Sequence, residues 1–377
     1  MRIVHIGCKG LPSKGGTERV VEAIAVRHAR SHEVTVYGSA RACHSGRYEN
    51  VEVRALRTPR NRFLGPVWLD TASALRVFLS RSVDVVHIHG SENAFVAPLL
   101  RLRFPVITTN HGPAYAREKW GRFARALIRS TERGSVVRVD AATAVASSQA
   151  RILSERYSVE VVHIPNGIEQ DSHPDVEGAR RLLSELAIEP GRFAMFAAAR
   201  VDPTKGCLTL LQAWRSLDSP TPLLIVGDLW HAPGHDSQLR KAAEGMDVRF
   251  LPRLDDKALL FGLVASAGVF IFPSTVEAMS MMLLEATALG VPVLASNIPE
   301  NADVLPDGEW LFAPGNADDL ARAYRAWRTE PPASVRDRCA QRAHHVRTHY
   351  SWDRIADQYE AVYDRAIRAS KKTKVSK

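Results

Sequence analysis

The sequence predicts an α/β fold of two doubly wound domains, on three observations. Short apolar runs alternate with helical stretches along most of the chain, the pattern of a mainly parallel sheet covered on both faces. The chain has 377 residues, 45% of them hydrophobic, and exceeds the roughly 250 to 300 residues at which a single core stops growing. Midway, the run Val159 to Pro165 ends in Asn166-Gly167, a turn pair suited to a hinge.

The first series of strands is expected at Ile3 to Gly7, Glu33 to Gly38, Asp84 to Gly90, Pro105 to Gly112, Ala141 to Ser148 and Val159 to Pro165. A second follows at Phe193 to Ala199, Pro222 to Gly227, Val248 to Leu251, Gly268 to Phe272 and Pro292 to Ser296, with Leu311 to Gly315 after them. This places one domain at 1–167 and another at 168–351. The first run is too short for the apolar stretch of a signal peptide and leads straight into a Gly-rich loop. The tail from residue 369 to 377, rich in lysine, is expected to be disordered.

Composition narrows the function classes. No run approaches a membrane span. Cys8, Cys43, Cys207 and Cys339 are too scattered for a zinc site or a disulfide framework, which points to a reducing cytoplasm. The chain carries 50 basic and 41 acidic residues, net +9, which calls for an anionic partner. Zinc-finger spacing, an aromatic-rich RNA-binding pattern and a continuous basic recognition helix are all missing, so nucleic acid is not expected to be that partner.

In doubly wound sheets ligands bind beyond the carboxyl ends of the strands, so the loops there hold the candidates. The run ending Phe272-Pro273 passes through Glu277 into a helix beginning near Met281 and carrying Glu285. Amides from Ala278 through Met279 and Ser280 to Met281 lie at its positive end, suited to a phosphate. Arg200 and Lys205 share the loop after Phe193–Ala199, a forked donor and a point charge that together suit a diphosphate. After the first strand, Gly15-Gly16 can bring amides near an anion, but the spacing is not the Gly-x-Gly-x-x-Gly of dinucleotide binding, which argues against hydride transfer. His111 ends the strand Pro105–Gly112. His87 and His89 alternate toward one sheet face without an apparent third metal ligand, so they are read as structural.

This array resembles the retaining, nucleotide-sugar-dependent glycosyltransferases of family 4, of GT-B fold, whose Glu-x7-Glu motif matches Glu277 and Glu285. The resemblance covers nearly the whole chain. It implies two Rossmann-like domains facing an interdomain cleft, the first on the acceptor side with a C-terminal helix at about 352–368 crossing back to it, the second binding the donor. It assigns Glu277 and His111 to the donor sugar, Glu285 to the ribose, and Arg200 and Lys205 to the leaving diphosphate. Gly15 and Gly16 would face the donor phosphate and the acceptor, and backbone at Gly227, Pro252 and Arg253 the base. Two departures weaken the match: Ala278 stands where the family usually has Gly, and Pro252, lacking an N–H, stands where Gly is common.

The implied activity is transfer of a sugar from a nucleoside-diphosphate sugar to a saccharide or polyprenyl-linked acceptor, in surface polysaccharide or glycolipid assembly. The chain has no Asp-x-Asp triplet, so no essential metal or other cofactor is expected. Segment 117–129 sets Trp120, Phe123, Leu127 and Ile128 on one helical face with arginines and Lys119 elsewhere, which suits an anionic membrane, and Arg54, Arg57, Arg60 and Arg62 extend the basic patch. The inner face of the plasma membrane is then the expected peripheral location. An epimerase or hydrolase of the same architecture, and more distantly a non-catalytic basic binding protein, are the competing readings.

Overall fold

A computed structural model describes the chain except residues 14, 62–63, 113–130, 219, 231–233 and 376–377, with side chains described as far as residue 370. Two compact units divide it, Met1–Gly167 together with Trp352–Lys377 (unit 1), and Ile168–Ser351 (unit 2).

The described residues of unit 1 form eight strands: β1 (Arg2–Ile6), β2 (Glu33–Ser39), β3 (Gly46–Tyr48), β4 (Val51–Leu56), β5 (Val85–His89), β6 (Val106–Asn110), β7 (Ala141–Ala144) and β8 (Val161–His163). Their order is β3-β4-β2-β1-β5-β6-β7-β8, with only the edge pair β3–β4 antiparallel. The expected set omits β3 and β4. Yet Val51-Glu-Val-Arg-Ala-Leu56 alternates buried and exposed residues as a half-covered strand should. Arg54, expected in a basic surface patch, lies on this strand and donates to Glu52 (2.9 Å) and to the Tyr37 hydroxyl (3.3 Å).

The two faces of this sheet differ in chemistry. On one, Val4, Ile6, Val86, Ile88, Val106 and Ala142 form an apolar core with Leu69, Ala74 and Val77 of helix α2 (Leu64–Leu79), Leu100 of α3 (Ala97–Arg101) and Leu153. On the other, His5, His87, Thr109 and Thr143 project toward Tyr359 and Tyr363 of the C-terminal helix Trp352–Val375, which packs on α1 (Gly16–His28). That helix corrects one expectation. It continues to Val375, through the tail expected to be disordered, because Ser-Lys-Lys-Thr-Lys-Val contains neither Gly nor Pro to stop it and lysine propagates helix well.

The described residues of unit 2 form six parallel strands: β9 (Ala194–Arg200), β10 (Leu223–Asp228), β11 (Val248–Leu251), β12 (Val269–Phe272), β13 (Val293–Ser296) and β14 (Leu311–Phe312). They lie in the order β11-β10-β9-β12-β13-β14, the 3-2-1-4-5-6 order of a doubly wound sheet. Central strands are buried on both faces, which is why Phe193–Ala197 and Val269–Phe272 read as continuous apolar runs. Phe196, Trp214, Ile225, Ile271, Leu294, Phe312 and Tyr324 make the core on one face, each contributing roughly 2 to 3 kcal/mol of burial. The order reverses between β9 and β12, and this switch point fixes where the two loops of interest meet.

Candidate functional site

The loop after β9 is shaped before it is charged. Asp202 caps a short turn at Pro203–Lys205, its Oδ1 accepting from the Thr204 amide (3.1 Å) and hydroxyl (2.5 Å), as an Asp-Pro-Thr sequence favours. Gly206 closes the turn at φ +69°, where a Cβ would stand 2.0 Å from the Pro273 carbonyl oxygen. Only glycine permits both the left-handed backbone and that approach. The loop after β12 is clasped to it, because the Thr275 amide donates to the Thr204 carbonyl (2.8 Å).

This clasp sets Lys205 against Glu277. The Lys205 ammonium donates to Glu277 Oε1 at 2.6 Å, with the side chains 25% and 10% exposed. A short, charge-assisted bond between half-buried partners holds both groups at the carboxyl ends of β9 and β12. Beyond Glu277, Ser280 caps the helix Met281–Ala288, its Oγ accepting from the Leu283 amide (3.4 Å), so the first-turn amides and the positive helix end lie at the same edge. Glu285 is half-buried one turn into this helix, and Arg200 ends β9, exposed. Beneath the loop, Ser296 donates to the Ser274 carbonyl and Asn301 to Ser296 (2.9 Å), a buried brace.

Other expected donor-side residues fare differently. Met279 and Met281 are buried. Ala278 is half-buried between Glu277 and the cap. Gly227 is buried at the end of β10, where the register with β9 shifts between Val226 and Asp228. Pro252 is exposed, and Arg253 pairs with Asp255 (3.0 Å).

Unit 1 places Gly15 at the N-cap of α1 and Gly16 in its first turn. Carboxylates of the chain itself bond the amides of this loop. Glu18, 8% exposed, accepts from the Lys9 amide (3.3 Å), and a Cβ on Gly15 would stand 2.4 Å from its Oε2. The Glu18 side chain thus folds back over the loop that precedes its own helix, a contact the loop's sequence did not suggest. Asn93, also unanticipated, donates to the carbonyls of Gly7 (3.1 Å) and His89 (2.6 Å) and ties the β1 loop to the end of β5.

His111 follows β6 and is half-buried, its Nε2 3.2 Å from His89 Nδ1. His89 Nε2 in turn lies 3.0 Å from His5 Nδ1. A third imidazole for His87 and His89 therefore exists, contrary to expectation: His5 faces His87 across the β1–β5 register, which no spacing in the sequence reveals. The three rings lie close enough to chelate, but His87 bonds Tyr363 (2.8 Å) and Thr109 (2.7 Å) while His89 bonds both neighbouring histidines. Burial lowers the pKa of all three, His5 to about 3 and His87 and His89 well below the ordinary value, with neighbouring histidines adding to the effect. The set is neutral and hydrogen-bonded. The segment 117–129 and Arg62 lie outside the described residues.

The family model described as Glycosyltransferase Family 4 matches residues 14–172, and that described as Glycosyl transferases group 1 matches residues 180–346. Among curated relatives, a phosphatidyl-myo-inositol mannosyltransferase of Propionibacterium freudenreichii is 32% identical over 297 residues, covering 74% of this chain and 70% of its own. One from Mycobacterium leprae is 28% identical over 395 residues, covering 100% of both chains. Among solved structures, sucrose-phosphate synthase from Thermosynechococcus elongatus superposes with TM-score 0.81 at 21% identity, covering 98% of this chain and 99% of that one. Anabaena HepE in complex with UDP-glucose gives 0.76 at 16% identity, covering 97% and 99%.

Proposed function

Since the chain belongs to the family 4 glycosyltransferases, of GT-B fold, we propose that it moves a hexose from a nucleoside-diphosphate sugar to a hydroxyl of a lipid-borne acceptor, with retention at the anomeric carbon. The observation that carries this is the Lys205–Glu277 pair at the switch point of unit 2, beside a capped helix N-terminus. The pair offers a cation for a leaving diphosphate and a carboxylate for sugar hydroxyls, and Glu285 is assigned to the ribose. The acceptor class follows the relatives, whose names specify mannosyl transfer to phosphatidyl-myo-inositol.

In this reading the bond between the anomeric carbon and the β-phosphate oxygen breaks first, and the nucleoside diphosphate keeps the electron pair. Arg200, Lys205 and the first-turn amides stabilise the charge that develops on it, a preorganised contribution of the kind that dominates many enzymes. His111 is assigned to the sugar. The acceptor oxygen attacks on the face the diphosphate leaves, and its proton passes to a phosphate oxygen. These steps use no metal, so activity should persist in chelator. Complete loss restored by magnesium or manganese would contradict the scheme.

Thermal melts with UDP, GDP, ADP and their sugar conjugates test the donor site. A stabilising shift for one base, absent in Arg200→Ala and Glu285→Ala, supports the reading. No shift with any nucleotide contradicts the reading and turns the search to phosphorylated or lipid-linked ligands; donor consumed without an acceptor would instead favour an epimerase or hydrolase of the same architecture.

A lipid-borne acceptor brings the protein to a membrane surface, and α2 favours that reading. Its buried face includes Ser73 and its one carboxylate, Asp70, 3% exposed and pushed up to about 8 by burial and by Glu92. Its outward face is more apolar than its inward one, with Leu64, Val67, Trp68, Leu75 and Leu79 each more than half exposed. Exposed Arg57, Arg60 and Arg81 flank the helix, and exposed Arg76 lies in its last turn. Such a face suits the interface of an anionic bilayer. No helix among the described residues is long and apolar enough to cross one. Sedimentation with anionic liposomes, lost in Trp68→Asp and Leu75→Asp, is the expected result. Binding unchanged in both variants would move the contact elsewhere.

A further inference from the structure

Lys205 and Glu277 are held together by backbone as well as by charge. The Thr275 amide donates to the Thr204 carbonyl (2.8 Å), a contact within two residues of each side chain, and Gly206 lets the Lys205 turn close against the Pro273 carbonyl. The Lys205 ammonium then donates to Glu277 Oε1 at 2.6 Å. Among the described residues Glu277 is the one carboxylate within ion-pair reach of Lys205, and Lys205 the one cation within reach of Glu277. No described group donates to the second carboxylate oxygen, Oε2.

This arrangement treats two kinds of anion differently. An ammonium has three N–H groups, so Lys205 can meet a phosphate oxygen without leaving Glu277. What the carboxylate removes is net charge, because the pair sums to zero. With the side chains 25% and 10% exposed, water and salt screen the Glu277 charge only in part. A bare nucleoside diphosphate therefore meets a cation already neutralised, with a like charge beside it. A sugar nucleotide brings the same diphosphate together with hydroxyls, and a hydroxyl that donates to Oε2 gains a charge-assisted bond. The carboxylate opposes one ligand and rewards the other. Arg200, exposed at the end of β9, attracts both alike.

We propose that Glu277 is a specificity-determining residue that lowers the affinity for bare nucleoside diphosphate relative to the intact sugar nucleotide, so that the product leaves once its sugar is gone. This rests on the reading of the Lys205–Glu277 pair as the donor site. Discrimination here comes from a repulsive element that only one of the two ligands offsets.

Isothermal titration calorimetry of the full chain with UDP, GDP and ADP, and with their glucose and mannose conjugates, measures both affinities. For the base that wild type accepts, Glu277→Gln keeps the shape and an acceptor oxygen but loses the charge. It should tighten the nucleoside diphosphate roughly 10-fold and leave the sugar nucleotide unchanged or weaker. Glu277→Asp, which keeps the charge, should tighten the nucleoside diphosphate by no more than about twofold. Glu177→Gln removes an exposed unit 2 carboxylate that pairs with Arg180 (2.7 Å), and should move neither affinity by more than about twofold. Should Glu277→Gln not fold, Glu277→Ala, also uncharged, carries the same expectation for the nucleoside diphosphate.

Equal tightening of both ligands in Glu277→Gln overturns the proposal. So does a nucleoside diphosphate bound no more tightly than by wild type; if Lys205→Met still weakens it about tenfold, the donor-site reading stands without the proposal. No binding of any nucleotide to wild type removes both.

Discussion

At the switch point of unit 2 two charged side chains meet, Lys205 and Glu277 at 2.6 Å, whereas the corresponding edge of unit 1 leads into imidazoles that burial keeps neutral. Both sheets reverse strand order about their first strand, β1 or β9. Their loops nevertheless use opposite electrostatics. Unit 2 keeps charge half-exposed at the strand ends, where a polyanion can exchange partners with it. Unit 1 turns its own Glu18 onto the Lys9 amide of the loop after β1 and lines up His111, His89 and His5 in one hydrogen-bonded row. The same backbone frame thus supports a charged loop set in one unit and a neutral, hydrogen-bonded one in the other. Among the described helices, Asp175, Asp256, Ser280 and Asn316 cap with side chains in unit 2, where Gly206, Gly234, Ile298 and Pro331 begin helices without one, as Gly15, Val96 and Ala146 do in unit 1.

The comparison breaks first at Lys205. Replacing it by Ala should lower kcat/KM about 100- to 1000-fold, because a preorganised charge facing the leaving group is lost. Steady-state kinetics with the donor identified by melting checks this; an effect under about threefold would remove the charged pair from the chemistry. Acidification should separate the units next. An unfolded chain protonates His5, His87 and His89 near 6.5, but the folded unit 1 does so only far below, so the stability they confer is full above that pH and declines as pH falls through it. At about pH 5.5 the loss should approach roughly 1 kcal/mol per histidine, seen as faster hydrogen exchange in β1 and β5 than in β9 and β12. Equal slowing or equal acceleration in both sheets would contradict it.

Smaller effects sharpen the contrast. Gly206→Ala should cost about 2 kcal/mol, from left-handed strain and the Pro273 carbonyl, and should lower the melting temperature of unit 2 while weakening donor binding. Asp256→Ala, which removes a cap accepting from Ala258 (2.9 Å) and Leu259 (3.1 Å), should cost about 1 kcal/mol with unchanged kinetics. A kinetic effect there would mean that capping in unit 2 serves the site as well as the fold.

Much of this was legible in the residues. Buried parallel strands announce themselves as apolar runs, so β9 to β13 fall where the runs do, with bounds moved by a residue or two. The edge strands β3 and β4 were missed, because a short strand half open to solvent resembles polar loop. Lys205 and Glu277 were legible as loop residues after strands, though their contact was not. It depends on a Thr204–Thr275 clasp between segments 71 residues apart. Glu18 and Asn93 carried no signal beyond helix-end and turn chemistry. The C-terminal helix runs past the expected 368 because its lysine-rich end contains no breaker.

What the sequence by itself determined is periodic or local: two alternating series of strands and helices, the turn at Asn166-Gly167, the cations after one strand and the paired carboxylates after another. These follow from side-chain spacing and backbone preference, which act over a few residues. What only tertiary structure decided is adjacency across strands. His5 meets His89 because β1 lies beside β5, and Lys205 meets Glu277 because β9 lies beside β12. Strand order is set by how helices cover the two faces of a sheet, a property of the whole unit that no window of sequence contains.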